Sequence, residues 1–137
     1  MRLTALGVGL CVAMLAPAKA ADAGSRHLAL GEVAVVPAAA ARMTPELRAD
    51  LAEEIGALDL RGARKDAILS VSLVRLDTER GAATCVVSAT LRSRDGGVLF
   101  AILEGRARAQ GSSAHIPENA RRGAVHGARS RVPEALR

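Results

Sequence analysis

The chain has 137 residues, half of them hydrophobic, a formal net charge of +5, and Phe100 as its one aromatic residue. That length suits one hydrophobic core. With one cysteine in the first apolar run (Cys11) and one far beyond it (Cys85), a disulfide-stapled scaffold is excluded. Without Trp or Tyr, so is a base-stacking nucleic-acid surface.

The first twenty residues have the layout of an export signal. Arg2 supplies a basic start, Leu3 to Ala16 is an uncharged apolar run, Pro17 breaks it, and Ala18-Lys19-Ala20 offers small residues where a signal peptidase reads them. The run is too short to cross a bilayer comfortably, and no later stretch approaches the length of a membrane span. Cleavage after Ala20 is therefore expected, with a periplasmic or secreted product. Loss of Arg2 and Lys19 lowers the net charge to +3. Cys11 follows Leu10 inside the apolar run, the wrong setting for a lipid anchor. Residues 21–27, small and polar, are expected to form a loose tail before a single α+β domain over 28–137.

Leu28 to Val36 is the first expected strand, although Gly31 and Glu32 blur its alternation; Pro37 and the alanines at 38–41 end it. A helix over 45–60 follows. Thr44 is its expected cap, and Pro45 suits the first helical position. Leu47, Leu51, Ile55 and Leu58 share one face, leaving Arg48, Asp50, Glu53 and Glu54 mostly to water. Ile68 to Asp77 is the second strand, with Leu69, Val71 and Leu73 on one face and Ser70 and Ser72 on the other. Thr78-Glu79-Arg80-Gly81 is turn material. Thr84 to Ser93 alternates cleanly apart from Val86, with Cys85, Val87, Ala89 and Leu91 inward. Arg94-Asp95-Gly96-Gly97 is a hairpin turn. Val98 to Gln110 is the fourth strand. Leu99, Ala101, Leu103, Gly105, Ala107 and Ala109 are expected inward, and Glu104, Arg106 and Arg108 outward. Its first half is apolar on both faces, through Val98, Phe100 and Ile102. A last helix from Pro117 to about Arg131 carries a weak stripe of Ala124, Val125, Ala128, Val132 and Leu136; its small residues suit close packing on a sheet, and Pro133 ends or kinks it. The order β-α-β-β-β-α predicts a four-stranded, mainly antiparallel sheet covered by helices, with strands two to four as a meander.

Few residues offer chemistry. Cys85, on the inward side of a strand, is a candidate free thiol, more simply a small buried hydrophobe. His27, His115 and His126 lack metal-ligand spacing, so no metal or other cofactor is expected. Glu53 and Glu54 diverge around their helix and cannot clamp one substrate atom. No nucleophile elbow or phosphate-binding glycine loop occurs. The distinctive feature is charge. From Gly105 onward, Arg106, Arg108, Arg121, Arg122, Arg129, Arg131 and Arg137 stand against only Glu118 and Glu134. The first six are the candidate anion- or partner-binding residues, with the simpler reading that they solubilise an Ala/Gly-rich helix.

The strand ending Ala34-Val35-Val36-Pro37, the helix opening Thr44-Pro45-Glu46-Leu47, the strands Ile68–Leu73 and Cys85–Leu91, the Asp95-Gly96-Gly97 turn and the Gly105–Ala109 strand together resemble small secreted proteins of myxobacterial type. They are loosely similar to periplasmic accessory modules such as the TolB amino-terminal domain and activators of penicillin-binding proteins. The resemblance implies a non-enzymatic role in the envelope, and no functional residue is carried over from it. The expected function is an extracytoplasmic binding or envelope-assembly accessory, acting through an exposed sheet edge or the basic carboxyl-terminal face. Its expected partner is an envelope protein or an anionic envelope surface, not nucleic acid. The rivals are a binder of lipid head groups or glycans, and a small secreted enzyme, which would need a pocket converging on Cys85, a histidine and a carboxylate.

Overall fold

A computed structural model describes residues 27–112 and 114–137. The expected leader and the tail up to residue 26 lie outside the described residues. Four strands form one sheet in the order β1-β2-β3-β4: β1 (Leu28–Val35), β2 (Ala67–Glu79), β3 (Ala82–Ser93) and β4 (Leu99–Gln110). β1 runs parallel to β2, and the other neighbours are antiparallel. A parallel pair needs a crossover. Here it contains a 3-10 helix over Ala38–Met43 and then α1 (Thr44–Gly56). After β4 come α2 (Ile116–Arg129) and the short α3 (Val132–Ala135). The α+β class, the element order and the meander match the expectation.

The helices lie on one face of the sheet, and the core lies between. Leu69, Val71 and Leu73 of β2 and Cys85, Val87, Ala89 and Leu91 of β3 meet Leu47, Leu51 and Ile55 of α1. The weak stripe on the last helices is wholly buried: Ala124, Val125, Ala128, Val132 and Leu136 all belong to this core. The opposite face carries Ser70, Ser72, Ser88 and Thr90, all half-buried, with no helix over it among the described residues.

Three local differences from the sequence reading have physical causes. α1 ends at Gly56 rather than residue 60, because Leu58 N–H already turns back to the Ile55 carbonyl. Thr44 opens α1 rather than capping it, and its hydroxyl donates to the Ala41 carbonyl of the 3-10 helix at 2.9 Å. Leu99, expected inward, is 41% exposed. Leu91 pairs with Ala101, but Arg92 pairs with Leu99, so Phe100 is an extra residue. That bulge reverses the alternation and puts Leu99 on the face of outward Arg92. A similar bulge at Val74 turns Leu76 inward opposite Cys85, and a third at Gly31–Glu32 accounts for the blurred alternation of β1.

α2 crosses very low over β4. A Cβ built on Gly105 would stand 1.8 Å from the Ala124 carbonyl oxygen and 2.6 Å from the Ala128 nitrogen. Only glycine permits this approach. Gly105→Ala is expected to destabilise the fold by about 3 kcal/mol, at the upper end of overpacking costs, because the obstacle is helix backbone. Gly56→Ala meets nothing within 4 Å and should instead raise stability by roughly 0.5 kcal/mol. Denaturant melts of both variants check the contrast.

Candidate functional site

The arginine-rich end of the chain divides between two surfaces. Arg106 and Arg108 alternate with Gly105 and Ala107 on β4, so they project from the sheet face away from α2, where both are exposed. Their nearest acids are Glu104, 3.9 Å from Arg106, and Glu79, 3.8 Å from Arg108. Arg121, Arg122 and Arg129 lie on the helix layer, beyond the sheet, and Arg131 is exposed between α2 and α3. The six candidates therefore do not form one continuous basic face.

Arg121 is 5% exposed, and its Nε donates to the Asp50 carboxylate of α1 at 2.6 Å. Asp50, expected in water, is itself only 8% exposed. Arg122 adds a second, more distant cation 3.6 Å from Asp50 and pairs with Glu118 one turn away at 3.0 Å. Further along, Arg129 pairs with Glu54, which His126 also approaches at 3.3 Å. Glu54 is accordingly not a solvated surface acid. These contacts tie α1 to α2 by charge. The helical periodicity of α1 contains no signal for them, since the partners lie about seventy positions later; the acids become recognisable only once α2 is placed.

Leaving Arg121 buried without its carboxylate is costly. Asp50→Ala is expected to lower stability by about 3 kcal/mol, and Asp50→Leu combined with Arg121→Met should recover most of it. A double-mutant cycle in urea measures both.

Cys85 lies at the centre of the core, fully buried. Burial pushes its thiol up to about 11, against a smaller opposing pull from the Arg121 charge. The thiol is thus neutral and inaccessible. Among the described residues, no group of three or more His, Cys, Asp or Glu side chains could hold a metal ion. An open depression of about 410 Å³ is lined by Arg64, Lys65, Asp66, Ser93, Asp95, Val98 and Phe100, with the Lys65 ammonium 5.2 Å from the Phe100 ring centroid. Its charges are mixed, and Cys85 is not among its lining residues. His27, at the start of β1, meets Asp66 at 2.7 Å, while His115 stands 3.3 Å from Glu118.

The remaining candidate is β4 itself. It is an edge strand, and Val98, just before it, and Leu99 and Ile102, near its start, are 64%, 41% and 66% exposed. Leu99 and Ile102 lie on the outer face. Of the two-sided apolar pattern seen in the sequence, Phe100 packs partly on the core, while Val98, Leu99 and Ile102 form a surface patch beside an edge that is unpaired among the described residues.

No protein-family model matches the chain. No curated protein matches it either. The solved structures similar to the chain include two bacterial proteins. One is a protein of Caulobacter crescentus CB15 described as a candidate lipoprotein; it is 14% identical, covers 80% of this chain and 85% of its own, and superposes with a TM-score of 0.45. The other is a Xanthomonas campestris protein of family DUF330, 20% identical over 85% of this chain and 83% of its own, with a TM-score of 0.46. Neither is described as a TolB domain or a penicillin-binding-protein activator.

Iodoacetamide should label Cys85 in the native protein at pH 8 at least about a hundredfold more slowly than in the urea-unfolded chain. Because the folded thiol titrates near 11, stability should also fall as pH rises above about 9, where the unfolded thiol ionises first. Labelling kinetics and melts between pH 8 and 10.5 check both signs.

Proposed function

We propose that the protein is an extracytoplasmic binding or envelope-assembly module that meets its partner through β4 and performs no chemistry of its own. The observation that carries this reading is the exposed apolar run Val98, Leu99 and Ile102 on a sheet edge. An unpaired strand offers a row of backbone donors and acceptors to any extended segment laid beside it, and apolar side chains along that row favour the contact over water. The export signal in the sequence supports a partner within the envelope. The rival anionic-surface reading is less favoured, because Arg121 and Arg129 are committed to Asp50 and Glu54. An enzyme built around Cys85 is less favoured as well, because the thiol is sealed in the core.

A photo-crosslinking residue placed at Ile102 in the producing cells tests the reading. A discrete adduct in the envelope fraction is expected, with none from the same probe at Val36, an equally exposed position next to β1 at the opposite edge. Equal adducts at both positions, or none at Ile102, overturn it.

A further inference from the structure

The charges along β4 fit β4 itself, and we propose that the edge pairs with a second copy of this chain in one defined antiparallel register. The inference rests on the reading above that β4 is the contact element, and it names the partner.

The backbone decides which residues can take part. Gly111 N–H donates to the Gly81 carbonyl, and from there β3 and β4 pair residue by residue as far as Leu91 and Ala101. Hydrogen-bonded pairs alternate along an antiparallel ladder. The odd-numbered residues from Ala101 to Ala109 therefore turn their N–H and C=O groups toward β3. Ile102, Glu104, Arg106, Arg108 and Gln110 turn theirs toward the open edge. These same residues carry the charges on the outer face, and Glu104 and Arg106 are both largely exposed.

Only a few two-fold registers use those groups. If Glu104 faces itself, two carboxylates collide; if Arg106 faces itself, two guanidinium groups do. A register placing Arg106 opposite Arg108 also sets like charges together. Centring the pairing on Gly105 avoids all three. It sets Glu104 opposite Arg106 of the second copy, and Arg106 opposite Glu104 of the second copy, in hydrogen-bonded positions. It also sets Ile102 beside the long stem of Arg108 of the second copy. Opposite charges directly across a ladder are favourable and like charges unfavourable. On the inner face the same register places Leu103 opposite Ala107 and Ala101 opposite Ala109. These residues are only half-buried in the single chain, although they pack on the core.

The helix layer is compatible with this axis. α2 packs on β3 as well as β4 and touches β4 at Gly105, so in this register the two copies of α2 run side by side across the two-fold. Gly123 and Gly127 face the chain's own β4, where a built Cβ would reach Ala107 Cβ at 2.8 Å and Gly105 Cα at 3.6 Å respectively, so they let α2 sit low on the strand. The edge also lacks proline and inward-pointing charge, two common devices against strand pairing. The result is a continuous eight-stranded sheet with all helices on one side.

Sedimentation of the chain as recovered from expressing cells, over a concentration series, tests the proposal. The parent chain should sediment at twice the chain mass. Glu104→Arg turns both cross-strand pairs into repulsions and should weaken association by at least about tenfold; Arg106→Glu should do the same. The double variant Glu104→Arg/Arg106→Glu restores the complementarity and should dimerise again. Both positions are exposed, so folding is retained, and thermal melts confirm it. For the register itself, Glu104→Cys chains mixed with Arg106→Cys chains should form a disulfide far faster than either alone. The facing Cα atoms would be about 5.5 Å apart, within disulfide reach. A monomeric parent chain, single variants that still dimerise, a double variant that does not, or no preference for the mixed disulfide each overturns the proposal. A monomer that still gives the Ile102 adduct with a different envelope protein would leave the β4 reading standing and remove only the second copy.

Discussion

The low passage of α2 over Gly105 is the constraint from which the rest of the arrangement follows. Because no side chain separates helix from strand there, Ala120, Ala124 and Ala128 can lie in the core instead of beneath bulky residues. A core with a single aromatic residue gains its area through many small contacts at close range, which is how an alanine-rich interface compensates for modest burial per residue. Seating α2 at that height also fixes its rotation. Its Arg121 edge is turned toward α1, where Asp50 receives it, and the helix layer becomes one unit above the sheet.

That rotation explains the partition of charge. Residues on α2 that looked in sequence like part of a single basic surface are matched with acids of α1. Arg106 and Arg108, only some fifteen positions earlier, look out from the reverse side of the sheet. Charge balance over a stretch of sequence describes a surface only when the stretch lies on one surface. Here a strand and a helix on opposite sides of a layer contribute to the same count.

Much of the fold was legible in the residues. The alternation of Cys85, Val87, Ala89 and Leu91 against Thr84, Ser88 and Thr90 is enough to place β3, and Asp95-Gly96-Gly97 is enough to place its hairpin, where Gly97 takes a positive φ of 64°. What the sequence concealed was long-range. Nothing in α1 marks Asp50 as different from Glu53, because burial there depends on a helix seventy residues away. The bulges at Val74 and Phe100 were also hidden. Each shifts the pairing by one residue and so changes which side chains face out, and a two-residue period carries no record of where it slips. The apolar patch was half visible: the run at 98–102 is plain in sequence, but its exposure follows from β4 lying at the sheet edge.

The sealed position of Cys85 has a consequence for how this chain reaches its final state. In an oxidising compartment a lone thiol is harmless only while it is hidden. Before the helices pack over the inner face of β3, the same sulfur is open to mixed disulfides with any other thiol, and the only other cysteine of the sequence is Cys11. If the chain matures outside the cytoplasm, as proposed above, helix packing races oxidation. In that setting one buried sulfur would set how fast the helices must seat.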